Sequence, residues 1–296
     1  MPFDLQQYLR ERVRLVDDAL ERYLPGEDVR PQVLHRAMRY STLSGGKRLR
    51  PVLVIAGAEA VGGEAQTVLP TACGIELIHT FSLIHDDLPA IDNDTLRRGR
   101  PTCHVQFGEA VAILAGDALF ATAFELVARN VERVPAERVV RVLRVIAEAS
   151  GTSGMVGGQM VDIESEGKPV DTETLEYIHR HKTAALIRAS VVSGAILAGA
   201  EQWQVDALSR YGELTGLAFQ IADDLLNVTG DPSKTGKAVG TDVERGKATY
   251  PALFGVEASR RRAYQLVQEA VETLHPFGER AEPLRAIAHL MIEREG

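Results

Sequence analysis

Two apolar runs at helical spacing end in paired aspartates, and this limits the folds open to the chain. Ile75, Leu77, Ile78, Phe81 and Ile84 lead into Asp86-Asp87-Leu88-Pro89-Ala90-Ile91-Asp92, and Phe219-Gln220-Ile221-Ala222-Asp223-Asp224-Leu225-Leu226-Asn227 repeats the pattern. A carboxylate at the inner end of a buried helix is costly unless a cation or hydrogen-bond donors neutralise it. Oxygen-only donors suit a hard divalent ion such as Mg2+, which is held through a few carboxylates together with phosphate oxygens. Basic residues follow each cluster: Arg97, Arg98 and Arg100 after the first, Lys234, Lys237 and Lys247 after the second. For the first cluster alone, a solvated helix end whose charges pair with one another is the alternative. The recurrence favours a cation site that meets a polyanion.

The remaining chain offers helices to surround such a site. Leu5, Leu9, Val13, Val16 and Leu20 predict an amphipathic helix over 4–24, stopped by Pro25-Gly26. Further helices are expected over 30–43, from Leu49 through Ala58, over 66–88, 105–130, 135–150, 155–164, 172–200 and 203–228, followed by short amphipathic ones. No stretch alternates strand with helix. The expectation is one all-α domain over 1–296. Thr229 to Gly246, polar and rich in Gly and Lys, is a candidate lid over a phosphate site.

A net charge of −8 lacks the basic face of a nucleic-acid binder. Cys73 and Cys103 have neither CxxC nor His spacing, so buried thiols in a reducing cytoplasm are expected. Met1 to Tyr8 shows no basic region followed by an apolar run, and uncharged stretches such as Ala189 to Ala200 fall short of the ~20 residues a span needs. Neither an export signal nor a membrane span is expected.

Gly45-Gly46 before Lys47 and Arg50 is a candidate anion turn, with a plain helix-to-helix turn as its alternative. His79 lies two helical turns before Asp86, either as a core residue or facing the same cavity. Pro89 interrupts the helix and lets the chain bend, returning Asp92 towards Asp86. Gln159 and Asp162 are satisfied core groups or cavity-lining ones. Lys182 snorkels to solvent unless its helix faces the acidic cavity.

Taken together, the blocks resemble the trans-isoprenyl diphosphate synthases, the polyprenyl synthetase family, in their bacterial farnesyl or geranylgeranyl form. The likeness runs from about residue 37 to 255 and covers Gly45-Gly46-Lys47-Arg48-Leu49-Arg50-Pro51, Asp86 to Asp92, Leu96-Arg97-Arg98-Gly99, Lys182-Thr183, Phe219-Gln220, Asp223 to Asn227 and Gly246-Lys247-Ala248-Thr249-Tyr250-Pro251. Asn227 departs from the family's aspartate, which leaves Asp223 and Asp224 to dominate the second cluster. The resemblance implies a helical barrel or bundle of roughly ten or more helices around a deep central cavity, the isoprenoid synthase fold, as a homodimer. It implies about three Mg2+ ions per site, or Mn2+, on Asp86, Asp87, Asp92 and Asp223. Arg97, Lys182, Lys237 and Lys247 would grip an allylic diphosphate, and Lys47, Arg50, His79 and Arg98 would hold isopentenyl diphosphate. Thr183 and Gln220 would steady the cation formed when the allylic C–O bond ionises. Phe81, five positions before Asp86 with small Ser82 beside it, would floor the cavity and stop growth at farnesyl diphosphate. Geranylgeranyl diphosphate is the alternative product; a terpene cyclase and a non-catalytic partner subunit are the rival classes.

Overall fold

Helices α3 (Leu49–Ala60) and α10 (Ala185–Ala198) touch backbone to backbone at the centre of the molecule. A Cβ on Gly57 would collide with the carbonyl of Val191, and one on Gly194 with the carbonyl of Val54. The two glycines therefore set the separation of these helices, and every residue of α3 from Pro51 to Ala58 is buried.

In the computed structural model, which describes residues 3–229 and 247–293, the other elements surround this pair. They are α1 (Leu5–Tyr23), α2 (Gln32–Thr42), α4 (Ala65–Asp86), a hairpin of β1 (Leu96–Arg97) and β2 (Arg100–Pro101), α5 (Cys103–Phe107), α6 (Glu109–Ala128), α7 (Ala136–Ser150), α8 (Met155–Ser165), α9 (Thr172–Ile178), α11 (Gln202–Thr229), α12 (Tyr250–Phe254), α13 (Val256–Glu272) and α14 (Glu282–Ile292). The all-α class expected from the sequence is the class observed. One side of the core joins α4, α6 and α7 through Leu77, Ile78, Leu119, Leu126 and Ile146. The other joins α3, α11, α13 and α14 through Leu53, Leu208, Leu266 and Ile287. There the buried Tyr211 hydroxyl donates to the carbonyl of Leu284 at 2.7 Å.

The structure departs from the helix boundaries expected of the sequence at three places. The run over 172–200 is interrupted by a π-helical turn at His179–Ala184, which contains Lys182 and Thr183. Such a turn inserts a residue and re-aims its side chains, as π-bulges at functional sites do. The run over 105–130 breaks at Gly108, whose φ of 88° ends α5 and starts α6. The short hairpin arises because Arg98 (φ 53°) and Gly99 (φ 73°) both adopt the left-handed region that tight two-residue turns require. Elsewhere α1 lies within a residue of its expected span, and the candidate lid falls outside the described residues from 230 onwards.

Two helices are long and apolar enough to cross a membrane by length and composition, contrary to the expectation of none: Ala65–Asp86 and the stretch from Glu109 to Glu132. The first is enclosed by α3, α6 and α10, with 72% of its most apolar window buried. Its apolarity is that of a core helix. The second packs one face on α4, while Ile113 and Leu114 stay exposed.

The close approach at Gly194 gives a direct test. Gly194→Leu forces α3 and α10 apart and is expected to lower stability by roughly 1–3 kcal/mol or more, as overpacking does. The readout is the thermal midpoint by circular dichroism, and an unshifted midpoint would show that the seam yields.

Candidate active site

The C-terminal end of α4 carries the first acidic cluster into the interior. The chain reverses after Pro89 as expected, for the N–H of Asp92 donates to the carbonyl of Asp86 at 2.8 Å. Burial pushes the Asp86 carboxyl up to about 6, opposed by the positive charges of Lys182, Arg97 and Lys247 and reinforced by the negative charge of Asp92. These five side chains, drawn from both halves of the chain, are thus electrostatic neighbours.

Asp87, expected as a metal ligand, is engaged by an arginine in this structure. Both its oxygens accept from Arg97, through Nε at 3.0 and 2.9 Å and Nη2 at 2.6 Å, and its side chain is only 4% exposed. The bidentate fork of arginine matches a carboxylate and fixes the β1 strand to α4. Arg97 is correspondingly engaged with Asp87 rather than directed solely at a phosphate.

Lysines close the opposite wall. Lys247 Nζ lies 3.0 Å from Asp92 and 3.9 Å from Asp162, and Lys182 Nζ lies 2.6 Å from Asp162. Asp162, on α8, is a site residue that the sequence left undecided between core and cavity. The signal was present in its spacing from Gln159 on an apolar helix, but only the crossing of α8 with the π turn shows that it receives two lysines. Gly158 permits that crossing, since a Cβ there would collide with the backbone of Lys182.

The second acidic pair separates into two roles. Asp224 is buried and accepts from Gln220 Nε2 at 3.0 Å and from the backbone N–H of Tyr250 at 2.8 Å, with His179 Nε2 at 3.3 Å. Its oxygens, expected to share the second cluster with Asp223, accept hydrogen bonds within the protein in this structure. His179, which had no signal in the sequence, stacks on Tyr250 with ring centroids 6.0 Å apart. Asp223 is half-buried beside this anchor. Thr183 donates to Gln220 Oε1 at 2.7 Å, so the two residues expected to face a cation share one wall with Lys182 and Lys247. Lys237 lies outside the described residues.

A separate basic patch forms around the Gly-Gly-Lys turn. Arg98 donates to the carbonyl of Gly45, and its guanidinium occupies the place a side chain at Gly46 would need. His79 is held well below its usual range, first by burial and then by Arg50, Arg98, Arg97 and Arg48. It is therefore a neutral imidazole among guanidinium groups. Lys47 is exposed at the turn and Arg50 half-buried.

Phe81 is half-buried with its ring 4.8 Å from that of His85 and 4.9 Å from that of Phe120, which in turn lies 5.2 Å from Phe124. A row of aromatic rings thus runs from α4, the helix that ends at Asp86, onto α6. Ser82 donates to the carbonyl of His79 at 2.8 Å.

Among the described residues, no group of three or more Asp, Glu, His or Cys side chains is gathered as a metal cluster. The donor chemistry nevertheless fits a hard divalent ion: Asp86 is a desolvated carboxylate, and Asp92 offers oxygens whose charge is met by a lysine.

Residues 31–284 match the sequence profile of the family described as polyprenyl synthetase. The chain belongs to the polyprenyl synthetase family. It is 49% identical over 293 residues to a geranylgeranyl diphosphate synthase of Cyanophora paradoxa, covering 99% of this chain and 97% of that protein. Among solved structures, a FPP/GFPP synthase from Zymomonas mobilis is 37% identical with a TM-score of 0.87 and covers 97% of this chain and 98% of its own. Geranylgeranyl pyrophosphate synthetase from Pyrococcus horikoshii Ot3 is 34% identical with a TM-score of 0.88, covering 98% of each chain. The protein is accordingly a short-chain prenyltransferase, which leaves the cyclase and non-catalytic readings without support.

The division within the second acidic pair predicts opposite phenotypes in this prenyltransferase. Asp223→Ala is expected to lower turnover by orders of magnitude with an unchanged thermal midpoint, whereas Asp224→Ala strands buried donors and costs on the order of 3 kcal/mol of stability. Parallel kinetic and thermal measurements on both variants decide it, and equal stability losses would contradict the division.

Asp86 predicts a pH dependence of the metal-free protein. Its folded-state value of about 6 exceeds the ordinary 3.8, so the folded form binds more protons between these values and loses stability as pH rises through them. Asp86→Asn is expected to raise the thermal midpoint at pH 7 and to lose that advantage below pH 3.8. A midpoint equal to wild type at both values would show an ordinary carboxylate.

Proposed function

We propose that this prenyltransferase condenses isopentenyl diphosphate with allylic diphosphates and that its main product is the twenty-carbon geranylgeranyl diphosphate. The observation that supports the reaction is the pairing of two distinct anion sites. One is a carboxylate and lysine wall around Asp86, Asp92, Lys182 and Lys247, and the other an arginine patch around a neutral His79.

Asp86, Asp92 and Asp223 would hold about three Mg2+ ions, or Mn2+ on the same oxygens, whose charge neutralises the departing allylic diphosphate. Lys182 and Lys247 lie on that wall, so their ammonium groups add to the neutralisation, and the resemblance gives Lys237 the same part. Lys247 meets Asp92 in this structure and would turn from it towards the substrate. The allylic C–O bond breaks with its electron pair left on the diphosphate. Thr183 and Gln220, linked through their side chains, present oxygen dipoles to the resulting cation. The double bond of isopentenyl diphosphate then attacks, and the departed diphosphate takes the proton, so no protein nucleophile is required. Lys47, Arg50 and Arg98 bind the second diphosphate. His79 donates a hydrogen bond there without adding a charge that would oppose the allylic cation.

The product length rests on the Cyanophora paradoxa relative, a geranylgeranyl diphosphate synthase that is similar along nearly the whole chain. This replaces the farnesyl product expected from Phe81. The fifteen-carbon product stays as the second reading because an aromatic residue does stand five positions before Asp86, braced by Phe120. A cytoplasmic homodimer that does not span a membrane belongs to the same proposal, and the exposed apolar Val105, Ile113 and Leu114 on α5 and α6 support the dimer alone.

Incubation of the purified protein with Mg2+, dimethylallyl diphosphate and isopentenyl diphosphate is expected to yield mainly twenty-carbon diphosphate by mass analysis. A predominantly fifteen-carbon product would overturn the length assignment. In that case Phe81→Ala would lengthen the product, because truncation removes the ring that packs on Phe120.

A further inference from the structure

Arg48 stands between Lys47 and Arg50 in the basic turn, yet its side chain points away from solvent. Its side chain is 2% exposed and makes three charge-assisted contacts: Nε to Asp17 Oδ1, Nη1 to Glu76 Oε1 and Nη2 to the carbonyl of Thr42, each at 2.8 Å. Glu76 is itself 3% exposed on α4, one helical turn before His79. Asp17 belongs to α1, and Thr42 ends α2. One guanidinium therefore ties together the three helices that precede and follow the turn.

The backbone of Arg48 explains the arrangement. It adopts φ 46° and ψ 36°, a left-handed conformation unusual for a residue with a side chain, at the N-cap of α3. That conformation costs free energy, and the buried contacts of Arg48 offset it. With Arg48 directed inward, Lys47 is exposed on the other side of the turn.

We propose that Arg48, held by Glu76 and Asp17, is a positioning residue that fixes Lys47 and Arg50 for diphosphate binding and does not touch phosphate itself. The inference rests on the assignment of the Lys47 patch to isopentenyl diphosphate. It extends the binding site to α1, a helix that carries none of the substrate-binding residues.

The test combines steady-state kinetics, thermal midpoints and a double-mutant cycle. Glu76→Gln removes the buried charge that orients Arg48 and is expected to raise the KM for isopentenyl diphosphate about tenfold, within the range seen for residues coupled through a shared network. The KM for the allylic substrate and kcat should change little. Asp17→Asn, at a side chain 43% exposed, should act in the same direction more weakly and serves if Glu76→Gln does not fold. In the double variant with Lys47→Ala, the effects should be less than additive, since the network acts through Lys47. Additive effects, or a lowered thermal midpoint with both KM values unchanged, would overturn the proposal. If Lys47→Ala instead alters the KM of the allylic substrate, the assignment of the two diphosphates fails. The positioning role is then judged on non-additivity for that substrate.

Discussion

A carboxylate at the buried end of α4 must be neutralised, and the active site is organised around that requirement. Burial is the largest influence on Asp86, and the three positive charges that oppose it come from other elements. Lys182 arrives from the π turn, Arg97 from the hairpin and Lys247 from the segment leading into α12. Asp87 next to it is neutralised differently, by a bidentate arginine, and so becomes a joint between α4 and β1. Two adjacent aspartates of identical chemistry thus differ in role because one meets a guanidinium fork and the other meets charges at longer range.

The same division recurs at the second cluster. Asp224 anchors the Lys247 segment to α11 by accepting the Tyr250 N–H, which in turn lets Lys247 reach across to Asp92. Asp223, one position earlier, is carried on the same rigid helix. A buried acceptor with its hydrogen bonds satisfied fixes the backbone that carries its neighbour. The glycines at the helix crossings serve this geometry too. Without a side chain at Gly57, Gly194 and Gly158, the backbones approach closely enough to bring the π turn against α8 and α10 against α3.

Prenyl transfer accounts for why most of these polar groups are grouped by sign. A diphosphate carries several negative charges, and a site that releases one as a leaving group needs cations around it before the bond breaks. Burial first, and then the arginine patch by repulsion, hold His79 well below its usual range. The basic residues themselves fall into two groups, one at the start of α3 and one on the wall of Lys182 and Lys247.

Much was legible in the sequence alone. Apolar spacing located α1, α2, α4 and α11 to within a few residues, because an amphipathic or buried helix imposes its period directly on the chain. The paired aspartates after Ile84 and Ala222 revealed an acidic cavity, since charges at the end of an apolar run must meet either counter-charge or water. The sequence could not reveal which member of each pair faces the cavity, because Asp86 and Asp87, or Asp223 and Asp224, have the same local context. Only tertiary contacts separate them: Arg97 claims Asp87, and Gln220 with the Tyr250 backbone claims Asp224. The π turn at His179–Ala184 was likewise hidden, since nothing in local propensity marks an inserted residue within an Ala- and Leu-rich run. Asp162 stayed open between core and cavity in the sequence, and Arg48 stood there only as one member of the Gly45–Pro51 block. Their roles depend on partners 20 to 85 positions away and on helix crossings that no local pattern encodes.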